Sequence, residues 1–535
     1  MTRMFNLLDE PWIDVRLTSG ATATLSLREV ISRAGEISAL AGDVATQDAA
    51  VLRLLLAVLY RTHAGGDPVD TWERLWSARS VGPDAVERYL QPWTERFDLL
   101  HPSAPFFQVA DLRTAKGGTS SLGKIVADIP PNDQFFTTRS ERHLAPMTLA
   151  EAARWVVHAQ AYDPSGIKSG AVGDDRVKGG RGYPIGIGPA GWLGLVILEG
   201  ATLAETLLLN LDLTAVPPEG DSAVWERPPQ GAHVEERSSI WASGPADLLT
   251  WQSRRIRLEV RDGAAVGVVL ANGDPSHPRN TQAFERMTAW RRSKAQEKAT
   301  KLATVYMPRA HQVDRAVWRG LGGILGETTH LVSEGLPLGT LEWLATLEQA
   351  EAFDGRARIT AHAVGIEYGS NSSVIDDVYD DAVAVRAVTL ADRATRALVA
   401  DAVHDADLGA RATGDLAKNL ALAAGGSEDG VREAARERVY HELDRAFRAW
   451  LAALEPTSRP DEPRRAWQRT VRSTCIEIAD ELIRSAGVPA LTGRIVPMRT
   501  GERLLNAPLA EVYFRHDLRR ALTLTTADTS TKEAS

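Results

Sequence analysis

The chain has 535 residues, 44% hydrophobic and 24% charged, with a formal net charge of −9. The length suggests roughly two to four domains with ordinary globular cores, and the acidic balance argues against a protein that coats nucleic acid unaided. The single cysteine, Cys475, excludes an internal disulfide and a cysteine-rich zinc site, and fits a reducing cytoplasm.

The opening MTRMFNLLDEPW carries no signal-peptide apolar core, and no run approaches the ~20 apolar residues needed to span a bilayer. A cytoplasmic protein with no membrane contact is expected. FNLLDEPWIDVR reads as an opening strand, followed by the helix LSLREVISRAG. TQDAAVLRLLLAVLYRTH, from Thr46, reads as a buried helix with a threonine cap. Two amphipathic helices and an aromatic turn, PSAPFFQV, come next. Residues 115–145 show little periodicity, although Phe135 and Phe136 stand in a polar loop where aromatic side chains normally need a core or a partner.

An apolar helical run, MTLAEAARWVVHAQ, leads into residues 163–188, DPSGIKSGAVGDDRVKGGRGYPIGIG. Eight of these are glycine, and Lys168, Arg176, Lys178 and Arg181 are basic. Glycine lets backbone N–H groups approach an anion closely, and successive N–H groups can form anion nests. The stretch reads either as a surface loop or as a loop that touches phosphate backbone. The strand-like WLGLVIL follows it, and later WQSRRIRLEV and GAAVGVVLANG form a hairpin about Asp262-Gly263. Residues 285–319 hold nine Lys or Arg against three acids, a local basic path. RITAHAVGIEYG reads as a strand ending in the small polar tip Gly369–Ser373.

From about residue 381 the texture becomes alanine-rich helix, expected over Ala382–Asp405, Glu428–Leu454, Asp461–Gly487 and Ala507–Leu522, with a further helix possible over Asp415–Ala424. The fold class expected is α+β: a large mixed α/β domain over residues 1–380, a four-helix bundle over 381–525, and a disordered tail over 526–535.

Three chemical motifs fail on context. Gly118–Lys124 matches seven places of a P-loop, but Ile125 replaces the Mg²⁺-holding hydroxyl and no strand enters it. Gly186–Gly191 fits the dinucleotide fingerprint yet leads into a strand. His404-Asp405 and His516-Asp517 each stand alone as metal dyads. No catalytic centre, metal site or cofactor is expected.

Taken together, FNLLDEPWI, HPSAPFFQ, the glycine stretch through GGRGYP, NGDPSHP and the closing helices resemble the CasA family, large subunits of the type I-E CRISPR surveillance complex Cascade. The resemblance covers nearly the whole chain. It implies a non-enzymatic protein whose partners are crRNA, target double-stranded DNA, other Cascade subunits and a helicase–nuclease. It further implies reading of the protospacer-adjacent motif from the minor groove and help in opening the duplex. The family's glycine loop falls on Ser165, Gly166, Ile167, Lys168, Ser169 and Gly170, with Lys168 on phosphate. Its groove-entering loop falls on Gly369–Val374, where Asn371 reads the groove beside Ser373, and Ser372 stands where a relative carries a wedge glutamine. The loop facing crRNA and a neighbouring subunit falls on Gln134, Phe135, Phe136, Thr137 and Arg139. Some relatives carry a DNA-contacting lysine before the HP motif; GAAVGVVLANG has none, leaving Arg279 or Lys294 as substitutes. Arg176, Lys178, Arg291 and Arg292 complete the phosphate-path candidates. A nucleotide-dependent enzyme holding phosphate in the glycine stretch is the competing reading, and a helical scaffold without nucleic-acid contact is a third.

Overall fold

The computed structural model describes residues 4–129, 144–217, 219–233, 241–326, 335–353, 355, 357–455, 457, 459–498 and 501–525. The loop expected at 134–139 and the tail at 526–535 lie outside the described residues. The chain divides into two compact units. One comprises Met1–Arg315, Ser333–Asp354 and Arg358–Ala382; the other comprises Ala316–Val332, Gly355–Ala357 and Val383–Ser535.

The first unit is built on the helix Ala45–Thr62, in which Leu54, Leu55, Leu56 and Leu59 are all at or below 1% exposure. Each such leucine stabilises the fold by roughly 1.5–3 kcal/mol. The expected threonine cap is not one. Val44 is the cap residue, and Thr46 is buried with its hydroxyl 3.0 Å from His158 Nε2. Gly42 and Asp43 instead donate their N–H groups to Asp48 and Gln47. The helix packs on Leu149–Tyr162, which Thr148 caps by accepting from the Glu151 N–H.

Three antiparallel elements position the candidate loops. Leu195–Glu199 pairs with Arg358–Tyr368, Ile197 facing His362, and Ile375–Arg386 forms the other edge. Arg254–Arg261 and Ala264–Asn272 form the expected hairpin, with Asp262 and Gly263 both at positive φ as a primed turn requires. Within the glycine-rich stretch, Lys168–Ser169 pairs with Arg181–Gly182.

In the second unit the helix Arg393–Ala424 packs against Val431–Ala453, Asp461–Ser485 and Ala507–Ala521. Trp318, Phe447 and Trp467 form its aromatic centre, with Trp318 and Phe447 rings 4.5 Å apart. The first helix was expected to begin at Ala382. Residues 382–386 instead complete the strand from Ile375, because alternation of buried Val383 and Val385 with exposed Ala384 suits a sheet edge. The expected break after Asp405 is also absent: Gly409 and Gly414 lie inside one continuous helix. A Cβ at Gly409 would stand 2.7 Å from Val471 and 2.9 Å from the Cys475 sulfur. These glycines allow close helix packing. The hairpin Arg494–Met498 with Gly501–Leu505 follows.

Candidate nucleic-acid interface

The tip joining Arg358–Tyr368 to Ile375–Arg386 is short and locally bonded. Gly369 N–H donates to Val374 O, and the Ser373 hydroxyl donates to Ser370 O at 2.8 Å. Asn371 and Ser372 both sit at positive φ, 56° and 53°. Asparagine tolerates that region better than most residues, whereas serine there is uncommon and marks a conformation imposed by its surroundings. The imposing contact is visible. The backbone N–H of Ser165 donates to Ser372 O at 2.7 Å, joining the glycine loop to a tip some two hundred residues later in the chain. Asn371 and Ser373 are exposed beside that junction. Exposed Asp376 and Asp377 follow on the strand below.

The glycine loop is fixed at both ends by Arg254, whose side chain is 1% exposed. Its guanidinium pairs with Asp163 and donates to the carbonyls of Asp163 (3.0 Å), Pro164 (3.1 Å) and Gly186 (2.9 Å). Gly188 N–H returns to Asp163 O, and Gly186 N–H reaches the Ser165 hydroxyl. Within the loop, a Cβ on Gly170 would lie 2.6 Å from the Gly180 backbone, so only glycine fits that crossing. Tyr368 donates to Tyr162 O at 2.6 Å and ties the tip's strand to the helix that precedes the loop.

The side chain of Lys168 is 9% exposed and its ammonium lies 2.5 Å from Asp163, so it braces the loop from inside. Burial lowers its pKa, with Arg254 and Lys124 acting in the same direction and Asp163 opposing them. Arg176 is 37% exposed but fully engaged, its Nε and Nη2 on Asp174 and its Nη1 and Nη2 on the carbonyls of Gly273 and Asn272. Arg292 is paired with Glu297 at 2.6 Å, and Arg279 lies 5.3 Å from the Trp241 ring. Lys178, Arg291 and Lys294 are exposed, and none has an ion pair among the described residues. Lys178 and Arg181 flank a tight turn through Gly179 and Gly180, each backbone N–H donating to the other's carbonyl. Ile167 is 58% exposed.

The sequence reading missed Arg254, Asp163 and Lys124. A signal was present in WQSRRIRLEV, because adjacent residues of a strand face opposite sides and Arg254 and Arg255 therefore could not share one solvated face. In fact both are buried, Arg255 against Asp274 at 2.9 Å. NGDPSHP is thereby explained as scaffold: Asp274 holds Arg255, and Asn272 donates to Tyr183 O in the glycine loop. No group of three metal-ligating side chains, and no helix long and apolar enough to cross a membrane, occurs among the described residues.

The model for the CRISPR-associated protein Cse1 family matches residues 6–478. A CasA/Cse1 protein of Thermus thermophilus is 33% identical over 261 residues, 48% of this chain and 49% of that protein. The matched stretch thus spans about half the length of that curated relative. The crystal structure of Thermobifida fusca Cse1 superposes with a TM-score of 0.89 at 42% identity, covering 97% of this chain and 98% of the other. Cse1 from Acidimicrobium ferrooxidans gives 0.81 at 29% identity, covering 98% and 99%. With the family match running through both units and two solved Cse1 proteins sharing the fold end to end, the chain belongs to the CRISPR-associated Cse1 family.

Proposed function

We propose that this chain is the non-catalytic large subunit of a crRNA-guided Cascade complex in the cytoplasm, where it recognises the protospacer-adjacent motif of target double-stranded DNA. The observation that carries the reading is the Ser165-to-Ser372 backbone bond, which makes one surface of two loops distant in sequence. Chains of the same fold have been solved in a CRISPR RNA-guided surveillance complex, one with a TM-score of 0.63 at 20% identity. In this reading the tip Gly369–Val374 enters the minor groove. Exposed Asn371 meets base edges, while Ser165–Gly170 lets backbone approach the sugar–phosphate wall. Minor-groove readout is largely A·T against G·C, so several motifs are tolerated. Phosphate contact falls to exposed Lys178 and Arg181, with Arg291 and Lys294 further along, because Lys168 and Arg176 are engaged by Asp163 and Asp174. Base pairing with the guide reads the remaining sequence. Residues 134–139 face crRNA and a neighbouring subunit, the second unit is a four-helix bundle, and the assembled complex recruits a helicase–nuclease.

The test is binding of matched duplex by the guide-loaded complex, with and without this chain, across variants of the flanking motif. The chain is expected to confer motif-dependent affinity, and Asn371→Ala to reorder the motifs. Lys178→Ala with Arg181→Ala is expected to weaken all motifs alike and to reduce the salt slope. Equal affinity without the chain would overturn the assignment, and a uniform loss in the Asn371 variant would remove its role in readout.

A further inference from the structure

A cavity of about 230 Å³ opens between the glycine loop and the tip. Ile125, Val126, Ile129, Leu270 and Ile375 give it apolar walls, and the buried rings of His158 and Tyr162, stacked on each other with centroids 5.2 Å apart, also border it. Burial pushes the His158 pKa down to about 3, so this pair carries no charge at neutral pH. Two lysines line the same space, Lys168 and the exposed Lys124. The acid among the lining residues, Asp163, is already shared between Lys168 and Arg254. Among the lining residues two cations therefore stand against one carboxylate, which Arg254 also binds. An apolar, partly aromatic slot with surplus positive charge matches a flat ring carrying a phosphate.

The position of the cavity narrows the ligand further. Gly166 and Ile167 from the glycine loop, and Ser373 and Val374 from the tip, belong to its lining. Residues proposed to meet the duplex thus also line the cavity. A nucleotide that leaves the stack beside that tip has an apolar recess immediately next to it, and single nucleotides are held this way by proteins that take bases out of a helix.

We propose that this cavity receives one unstacked nucleotide, its base against the apolar walls at Ile125 and Val126 beside His158 and Tyr162, and its phosphate at Lys124. The inference rests on the nucleic-acid reading of the two loops. Either strand of the opened duplex, or the guide RNA, can supply the nucleotide, and the chemistry recognised is the same.

The experiment uses the full guide-loaded complex with 2-aminopurine placed singly at motif-adjacent positions of each DNA strand and along the guide's 5′ segment. Ala127→Trp fills the cavity from its half-buried wall, and Lys124→Glu reverses the charge of its lining. One position is expected to show a several-fold fluorescence change that Ala127→Trp abolishes, with about tenfold weaker binding of matched nucleic acid, the scale of one lost base contact. A responding DNA position identifies the duplex as the source; a guide position responding without DNA identifies the RNA. Circular dichroism checks that the tryptophan variant folds, and Lys124→Glu must weaken the same signal independently. If no position responds to either variant while the wild-type complex still discriminates motifs, this inference is overturned and the motif-reading function stands. If the wild-type complex ignores the motif, that function itself fails.

Discussion

Replacing Arg254 with methionine tests whether one buried guanidinium sets the shape of the glycine loop. The substitution keeps much of the side chain's length but removes its pairing with Asp163 and its bonds to the carbonyls of Asp163, Pro164 and Gly186. Breaking a buried ion pair costs about 3–5 kcal/mol, and each carbonyl left buried and unpaired adds roughly 1–3 kcal/mol where water cannot enter. Two terms reduce the sum. Asp163 keeps Lys168 as a partner, and Pro164 and Gly186 are only half-buried. A net local cost of about 4 kcal/mol follows, which lowers amide protection about 1,000-fold at tenfold per 1.4 kcal/mol. The assay is amide hydrogen exchange on the full chain, read at Gly186 and Gly188, whose N–H groups bond to Ser165 and Asp163. Leu198, whose N–H donates to the Asn210 side chain in the neighbouring sheet, is the reference. Protection at Gly186 and Gly188 within about threefold of wild type, with Leu198 unchanged, would refute the claim that Arg254 holds the loop closed.

Three other predictions concern the same scaffold. Asp163→Asn strands two buried cations and is expected to cost about 3–5 kcal/mol, whereas Lys168→Met leaves the Asp163–Arg254 pair intact and costs within about 1 kcal/mol; urea midpoints in the reverse order would contradict that arrangement. Gly188→Ala is expected to destabilise by about 3 kcal/mol, because its Cβ would lie 2.3 Å from Ala161 O in backbone that cannot yield; an unchanged thermal midpoint would refute this. His362 joins Glu199 and Asp380 at 2.7 Å each, and although burial lowers its pKa, the two carboxylates raise it overall to about 9. A raised histidine pKa stabilises fully below about 6.5, and the contribution disappears as pH rises through about 9; we expect about 2 kcal/mol after discounting for the exposed Asp380. An NMR titration placing the His362 midpoint below 7 would disprove it.

Much of this architecture was legible because burial imposes periodicity. Val439, Leu443 and Phe447 recur along one helix face, and all are buried in Val431–Ala453. The Asp262-Gly263 pair announced its hairpin through positive φ. Glycine was misread where it serves close packing: Gly409 and Gly414 resembled a connector and proved to sit where neighbouring helices leave no room for a Cβ. Charge was harder still. A run of arginines does not reveal the acids that distant folding brings to it. Arg286 is taken by Asp212, Arg292 by Glu297 and Arg319 by Glu437, so a basic stretch of sequence becomes a much thinner basic surface. The pairing of Lys168 with Asp163, five residues earlier, was equally invisible in the sequence.

The Ser165–Ser372 contact uses only main-chain atoms. Its geometry therefore makes no demand on the side chain at either position beyond tolerance of the local backbone. Exchanging the short hydroxyl at residue 372 for a longer amide therefore leaves this bond between the loops intact. A substitution at residue 372 thus changes the side chain that the tip presents while leaving the main-chain junction in place.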